Sequence, residues 1–347
     1  MNIEILTTSN ETLKETGFGN LEACHALLDT INRIGYMAKI TVCHTVKDLE
    51  AVVKRKPDLV LLAVKYIVTK KGETLWLSEY FTRKGINFSG SLRETLAFDS
   101  NKVSAKRHLK DKGISTPNFF TAMPGEYTRE YDLPLGYPLF VKPIDAANGN
   151  GIDDLSFVNT FAEYEFKVAS IYERFSQPAL VEEYIEGQEF TVAMIKTKSG
   201  ELLIAPIEVI APQSTKGLRI LGETAKKDDN EVLKTLENSQ LKKNIIKLAM
   251  DVFIDLDIRD FGRVDIKTNH SGHCFFMEAN LVPGMGSLSS YFPKAFAMEF
   301  GMDYDTVIGL IIEEGISRVP EVIAVNVPLV LDPHVTSLVL SPSKLLG

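Results

Sequence analysis

The chain has 347 residues, 45% of them hydrophobic and 24% charged, ordinary values for a globular protein long enough to hold two or three domains. Its 38 Lys and Arg against 46 Asp and Glu give a net charge of −8, which argues against a general nucleic-acid binder but leaves room for a local cationic pocket. The N-terminal MNIEILTTSN lacks the basic-then-apolar order of a signal peptide, and runs such as LVLLAV (59–64) fall far short of the ~20 residues that span a bilayer. Cys24, Cys43 and Cys274 read as reduced thiols, so a cytoplasmic protein with neither nucleic acid nor membrane as partner is expected.

From the N-terminus, residues 3–6 form a short β run, and NLEACHALLDTINRIG is an amphipathic helix that Asn20 would cap and Gly35 would stop. AKITV (38–42) and DLVLLAV (58–64) give two more strands, and TLWLSEYFTRKG (74–85) reads as another helix. Such alternation predicts a βαβ parallel sheet. The GFG at Gly17 to Gly19 comes too late after the first strand for a dinucleotide fingerprint, and Glu22 holds the place of its third glycine. It reads as a flexible loop facing a substrate.

DSNKVSAKRHLKDKGISTP (99–117) predicts a helix ended by Gly113 and Pro117. Beyond it YPLFVKP, LSFV, ALVEEYI, EFTVAMI and LLIAPIEVI are short strands, interrupted by one helix pattern near Phe161–Phe175, as in a mostly antiparallel α+β unit. APQSTKGLRILGETAKKDDNE (211–231) is polar and aperiodic; a loop this long is either a lid over a reactive intermediate or a solvated surface loop. From about Asn238 come a long helix, a hairpin and a helix over 303–314, and the tail from Val325 carries no motif.

Three stretches carry chemistry. In VKPIDAANGNGIDDL, Lys142 ends an apolar strand before a loop with Asn148, Gly149, Asn150 and Gly151, whose backbone N–H groups can wrap an anion. No G-K-[ST] follows, so this is not a Walker loop, and a plain turn is the alternative. VEEYIEGQEF sets Glu182, Glu183, Tyr184 and Ile185 where exposed backbone can read a purine edge, and Glu189 where a carboxylate can hold ribose hydroxyls; an acidic connector is the alternative.

GRVDIK (262–267) and HCFFMEA (273–279), joined through the turn formers of TNHSGH, predict a hairpin. Side chains two apart share a strand face, so pairing brings Asp265, Glu278 and Asn280 together with Arg263 nearby. Those oxygens suit a hard cation, Mg²⁺ or Mn²⁺; a merely polar face is the alternative. NHSGHC fits no zinc spacing, and no G-x-S-x-G or cysteine-nucleophile motif is present.

Taken in order, Lys102, Lys142 with its glycine loop, Glu182 to Glu189, Arg263 with Asp265, then Glu278, Asn280 and PGM (283–285) resemble the ATP-grasp enzymes, most closely the D-alanine–D-alanine ligases, over residues 86–310. The resemblance implies a three-subdomain ATP-grasp fold, α/β plus α+β, with an N-terminal βαβ parallel-sheet domain at 1–98. A central subdomain at 99–212, a C-terminal one at 213–320 with a lid at about 211–231, and a tail at 321–347 would follow. Lys102, Lys142 and Lys226 would meet ATP phosphates under the 148–151 loop, Glu182, Glu183, Tyr184 and Ile185 would line the adenine, and Glu189 would hold the ribose. Asp265, Glu278 and Asn280 would bind Mg²⁺, and Arg263 would stabilise the tetrahedral intermediate. Gly284 would open the loop for the second substrate, with Ser287, Ser289 and Ser290 nearby, and Glu11 or Glu15 would face the first.

The reaction so implied is phosphoryl transfer to a carboxylate and attack of an amine on the acyl phosphate, joining two amino acids as in peptidoglycan precursor synthesis; a homodimer is the family's habit. Departures are local. AVKYIVTKKGETLW stands where the ligases carry H-G-x-x-G-E-D-G, Lys227 follows Lys226 where they place tyrosine, and Asn148 replaces a serine that binds the first substrate. The nucleotide half matches and the first-substrate half does not, which leaves open a ligase of other specificity, a nucleotide-binding protein without ligase activity, and a carboxylate kinase.

Overall fold

The computed structural model describes residues 1–8, 17–18, 21–145, 149–214 and 217–318. The expectations for Glu11, Glu15, Gly19, Asn20, Asn148 and the tail lie outside the described residues. The N-terminal unit runs β1 (Asn2–Thr7), α1 (Leu21–Arg33), β2 (Met37–Val42), α2 (Val46–Arg55), β3 (Leu59–Leu62), β4 (Tyr66–Val68), β5 (Thr74–Trp76) and α3 (Leu77–Lys84). Strands β2-β1-β3 form the expected parallel sheet. Helix α1 buries Cys24, Leu27 and Ile31, spaced for one face, in the core that also takes up Ile308, Ile311 and Ile312 from near the described C-terminus.

Two N-terminal expectations change. Residues 74–76 are a strand rather than a helix start: Thr69 and Gly72 close a tight turn, Trp76 pairs with Tyr66 across it, and their rings meet at 5.3 Å. A cross-strand aromatic pair outweighs local helix propensity here. Phe18 is not in a free loop; it is 2% exposed, packs against Phe261, and its carbonyl accepts from Met285 N at 2.9 Å.

Helices α4 (Arg93–Ser100) and α5 (Lys102–Asp111) connect onward; Asn101 caps α5 by accepting from Ser104 N at 2.9 Å, so the helix predicted over 99–117 occupies its middle. Next come β6 (Phe119–Ala122), β7 (Leu139–Pro143), β8 (Phe157–Val158), α6 (Phe161–Phe175) and β9 (Ala179–Glu183), an antiparallel sheet in the order β6-β9-β7-β8 covered by α6. The last part is β10 (Glu189–Lys196), β11 (Leu202–Ile210), α7 (Glu223–Asp228), β12 (Val232–Thr235), α8 (Gln240–Asp255), β13 (Phe261–Thr268), β14 (Cys274–Asn280), α9 (Tyr291–Phe300) and α10 (Tyr304–Ser317). The aperiodic 211–231 stretch therefore contains a short helix, and the antiparallel sheet β12-β11-β10-β13-β14 draws strands from both sides of residue 212.

That sheet decides where a ligand can go. Alternate residues of β10 enter two cores, Val192 and Met194 beneath α8, Ala193 and Ile195 with α9. On the α9 face, Phe292 and Phe296 cover the end of β13 at Phe261, while Arg263, Asp265 and Lys267, on the same face further along, stay only half-buried. The uncovered half of this face is the floor of a cleft.

Candidate active site

Register sets the floor in rows. Asp265 lies opposite Thr191 on one side and Glu278 on the other, Arg263 opposite Ala193 and Asn280, and Lys267 opposite Glu189. A β-bulge next to Asp265 shifts the parity of β14, so Phe276 and Ala279 both enter the core while Met277 and Glu278 both line the cleft. Without that extra residue Glu278 would share a face with Phe276.

Asp265 is the hub of the floor. It accepts from Thr191 Oγ1 at 2.7 Å, from Asn280 Nδ2 at 3.2 Å, and from Arg263 Nε and Nη2 at 3.3 Å each. Lys102, on the first turn of α5, stands 3.4 Å from Glu278 Oε2. Burial alone would raise the Glu278 carboxyl, but Lys102, Lys226, Lys142 and Arg263 overcome it and hold the group well below the usual carboxylate range. Glu189 goes the other way: burial raises it, against the pull of Lys267 and Lys226.

The wall opposite belongs to β7 and β9. Glu182 is 1% exposed and sits between Lys106 at 2.8 Å and Lys142 at 2.7 Å, so its side chain is committed to two lysines. Burial pushes the Glu182 carboxyl up, yet the paired ammoniums bring it down to about 2, and burial takes Lys106 down to about 8. Lys142 is held above the ordinary lysine value, because Glu182 and Glu278 outweigh its desolvation. Glu183 turns to Asn118, whose N–H it accepts at 2.8 Å, and the Tyr184 ring packs edge-on to Phe157 at 4.7 Å.

A third wall comes from 219–226. Gly149 and Gly222 approach so closely that a Cβ on Gly149 would stand 3.0 Å from the Gly222 carbonyl carbon, and Glu223 N donates to Ile152 O at 3.0 Å. Glu223 also accepts from Gly151 N at 3.2 Å and pairs with Arg174. The 149–152 turn, which includes Asn150, is thereby fastened to the start of α7, and Arg219, Ile220, Leu221 and Lys226 line a cleft with Phe140, Lys142, Tyr184, Ile185, Glu189, Asp265 and Glu278.

The structure thus gathers Lys142, Glu182 to Ile185, Glu189, Lys226, Asp265 and Glu278 in one cleft, with Lys102, Arg263 and Asn280 attached to its floor. Ser287 and Ser289 are exposed outside that lining, and Ser290 Oγ accepts from Gly286 N at 2.9 Å beside Gly284. Reading the sequence missed Lys106 and Lys267. Their signals were spacing, four residues beyond Lys102 on one helix and two beyond Asp265 on one strand face. Lys267 Nζ lies 5.0 Å from the Tyr184 ring centre.

Two carboxylates and an amide converging beside three lysines and an arginine are a donor set for a hard cation together with phosphate oxygens. Apolar walls at Phe140, Ile185 and Leu221 adjoin it.

Comparison with known proteins identifies relatives of this chain. The model of the D-ala D-ala ligase C-terminus matches residues 109–313. The D-alanine–D-alanine ligase of Aquifex aeolicus is 30% identical over 259 residues, 74% of this chain and 82% of that one. That of Gloeobacter violaceus is 25% identical over 320 residues, 91% of this chain and all of its own length. Among solved structures, the Bacillus anthracis D-alanine–D-alanine ligase complexed with ATP superposes with a TM-score of 0.70 at 23% identity, covering 91% of this chain and 97% of its own. The VanG D-Ala:D-Ser ligase of Enterococcus faecalis gives 0.66 at 21% identity over 90% of this chain and 99% of its own. Among the described residues no helix is long and apolar enough to cross a membrane.

Proposed function

The chain belongs to the D-alanine–D-alanine ligase family of the ATP-grasp enzymes, and from that premise we propose that it is an ADP-forming ligase joining two amino acids through an acyl phosphate. The observation that carries the reading is the floor of the cleft, where Asp265 ties Arg263 and Asn280 together beside Glu278 and Lys102. Lys142 and Lys226 face that floor from the other walls, so positive charge converges where the β- and γ-phosphates of ATP would lie.

In the first step a carboxylate oxygen of one amino acid bonds to the γ-phosphorus and the bond to ADP breaks. In the second the acceptor amine bonds to the carbonyl carbon, the C–O bond to phosphate breaks, and the amine loses a proton. Lysines 102, 142 and 226 neutralise the phosphates, and Arg263 donates to the tetrahedral oxyanion. Asp265, Glu278 and Asn280 would hold Mg²⁺ or Mn²⁺, which when bound supplies further neutralisation of the β,γ-phosphates. The backbone at 183–185 would read the adenine edge and Glu189 the ribose.

Amino acids are the partners in this reading, and a cytoplasmic homodimer completes it. D-alanine dimerisation is the named candidate, with another amino-acid pair as close second because the first-substrate motif is replaced by the β4–β5 hairpin. That replacement also favours one rival, an ATP-binding protein without ligase activity. Phosphate release from ATP and Mg²⁺ should be measured against D- and L-amino acids, singly and in pairs. Release dependent on D-alanine alone or on a pair supports the ligase, and ATP-dependent thermal stabilisation with silence across every amino acid and pair supports the rival.

A further inference from the structure

Arg263 is held by Asp265 and also meets an aromatic ring. The Tyr291 ring centre lies 5.5 Å from the guanidinium carbon, and the Tyr291 hydroxyl donates to Glu231 Oε1. Glu231 closes the segment that carries α7 and Lys226, immediately before β12. Its second oxygen, Oε2, is buried without a hydrogen-bond partner among the described residues. The backbone of Tyr291 is fixed because the next turns of α9 anchor Phe292 and Phe296, each fully buried. What remains free is the ring, and the hydroxyl bond to Glu231 sets it.

The Arg263–Asp265 contacts are both long, 3.3 Å, and Asp265 is shared with Thr191 and Asn280, so this pair leaves the guanidinium room to pivot. A ring face held against the guanidinium restrains that pivot without competing for Asp265. We propose that Tyr291 and Glu231 are positioning residues: their hydrogen bond holds the ring against Arg263 and ties the segment bearing Lys226 to the arginine. Ordering of that segment and orientation of Arg263 are then one event, which makes the coupling reciprocal. The inference rests on the reading of Arg263 as the donor to the acyl centre.

The test uses Tyr291→Phe, which keeps the ring and removes its tether, and Glu231→Gln, which keeps a weaker acceptor. With the productive amino-acid pair, Tyr291→Phe should lower kcat about tenfold, the rate equivalent of one lost hydrogen bond, and Glu231→Gln should fall between it and the parent. KM for ATP should stay within about twofold, and the melting temperature should fall by only a few degrees, so the protein stays folded at the assay temperature. Hydrogen exchange of residues 217–231, measured with a non-hydrolysable ATP analogue bound, should quicken in Tyr291→Phe. A kcat within about twofold of the parent, unchanged exchange, or a kcat loss accounted for by unfolded protein at the assay temperature overturns the proposal. If the parent ligates no pair, the ligase reading fails by itself and the exchange measurement alone decides the coupling.

Discussion

The floor of the cleft and its N-terminal rim come from one chain but are specified in different ways. On β13 and β14, position follows from spacing: Arg263, Asp265 and Lys267 recur every second residue, and register sets Glu278 and Asn280 opposite. At the rim, single residues far apart in sequence meet. Asp99 accepts from Leu281 N at 2.6 Å, Lys65 pairs with Asp99 at 3.1 Å, and Phe18 O receives Met285 N. A floor built by periodicity keeps its side chains in place as long as the strands pair, whereas contacts made by docking each depend on single residues.

The largest expected effect is on the sheet side. Glu182→Ala leaves Lys106 and Lys142 facing each other in the interior and should cost about 3–5 kcal/mol in urea unfolding; a loss below about 1 kcal/mol would mean that the triad is not the keystone of this wall. Burial raises the Glu182 carboxyl, but the two lysines hold it at about 2 against an ordinary 4.5. Its stabilisation is therefore fully present above pH 4.5 and lost as the pH falls toward 2. Acid titration of stability should be steeper across that window in the parent than in Glu182→Gln.

Next comes Asp265→Ala, which releases Arg263, Asn280 and Thr191 together and should reduce steady-state phosphate release about 10²–10³-fold. Activity within tenfold of the parent would remove Asp265 from the chemistry. On the rim, Lys65→Met strips a buried partner from Asp99 and should cost about 1–3 kcal/mol. It should raise KM for an amino acid while leaving KM for ATP unchanged; the reverse split would erase the distinction between floor and rim. Arg174→Ala breaks a largely exposed pair with Glu223 and should change stability by less than about 1 kcal/mol in the same unfolding assay.

Much of this was legible in the sequence where one local rule sufficed. TNHSGH and a period of two gave the hairpin and the juxtaposition of Asp265, Glu278 and Asn280, and Phe161–Phe175 is the helix its spacing predicts. The bulge at Asp265 was not legible, since one extra residue leaves composition unchanged while reversing which side chains enter the cleft. Thr74 to Trp76 reads locally as helix and is fixed as strand by Tyr66, a neighbour across a turn. Helix α7, six residues long, is too short to hold itself and depends on Gly149 and Ile152, far away in sequence. Lys106 looks like a solvated lysine on α5 until Thr116, Phe276 O and Glu182 close around it. The pairing of Glu231 with Tyr291 spans 60 residues and has no local signature.

The most direct test of the account is the stoichiometry of product against phosphate. Purified protein would be given ATP, Mg²⁺ and each amino acid or pair, with the amide followed by mass spectrometry and phosphate measured in the same samples. The account predicts a ligase that yields one amide for each phosphate released, from D-alanine alone or from a pair, with neither formed when amino acid is omitted. Phosphate released without amide, or ATP bound with no amide from any amino acid or pair, would contradict it.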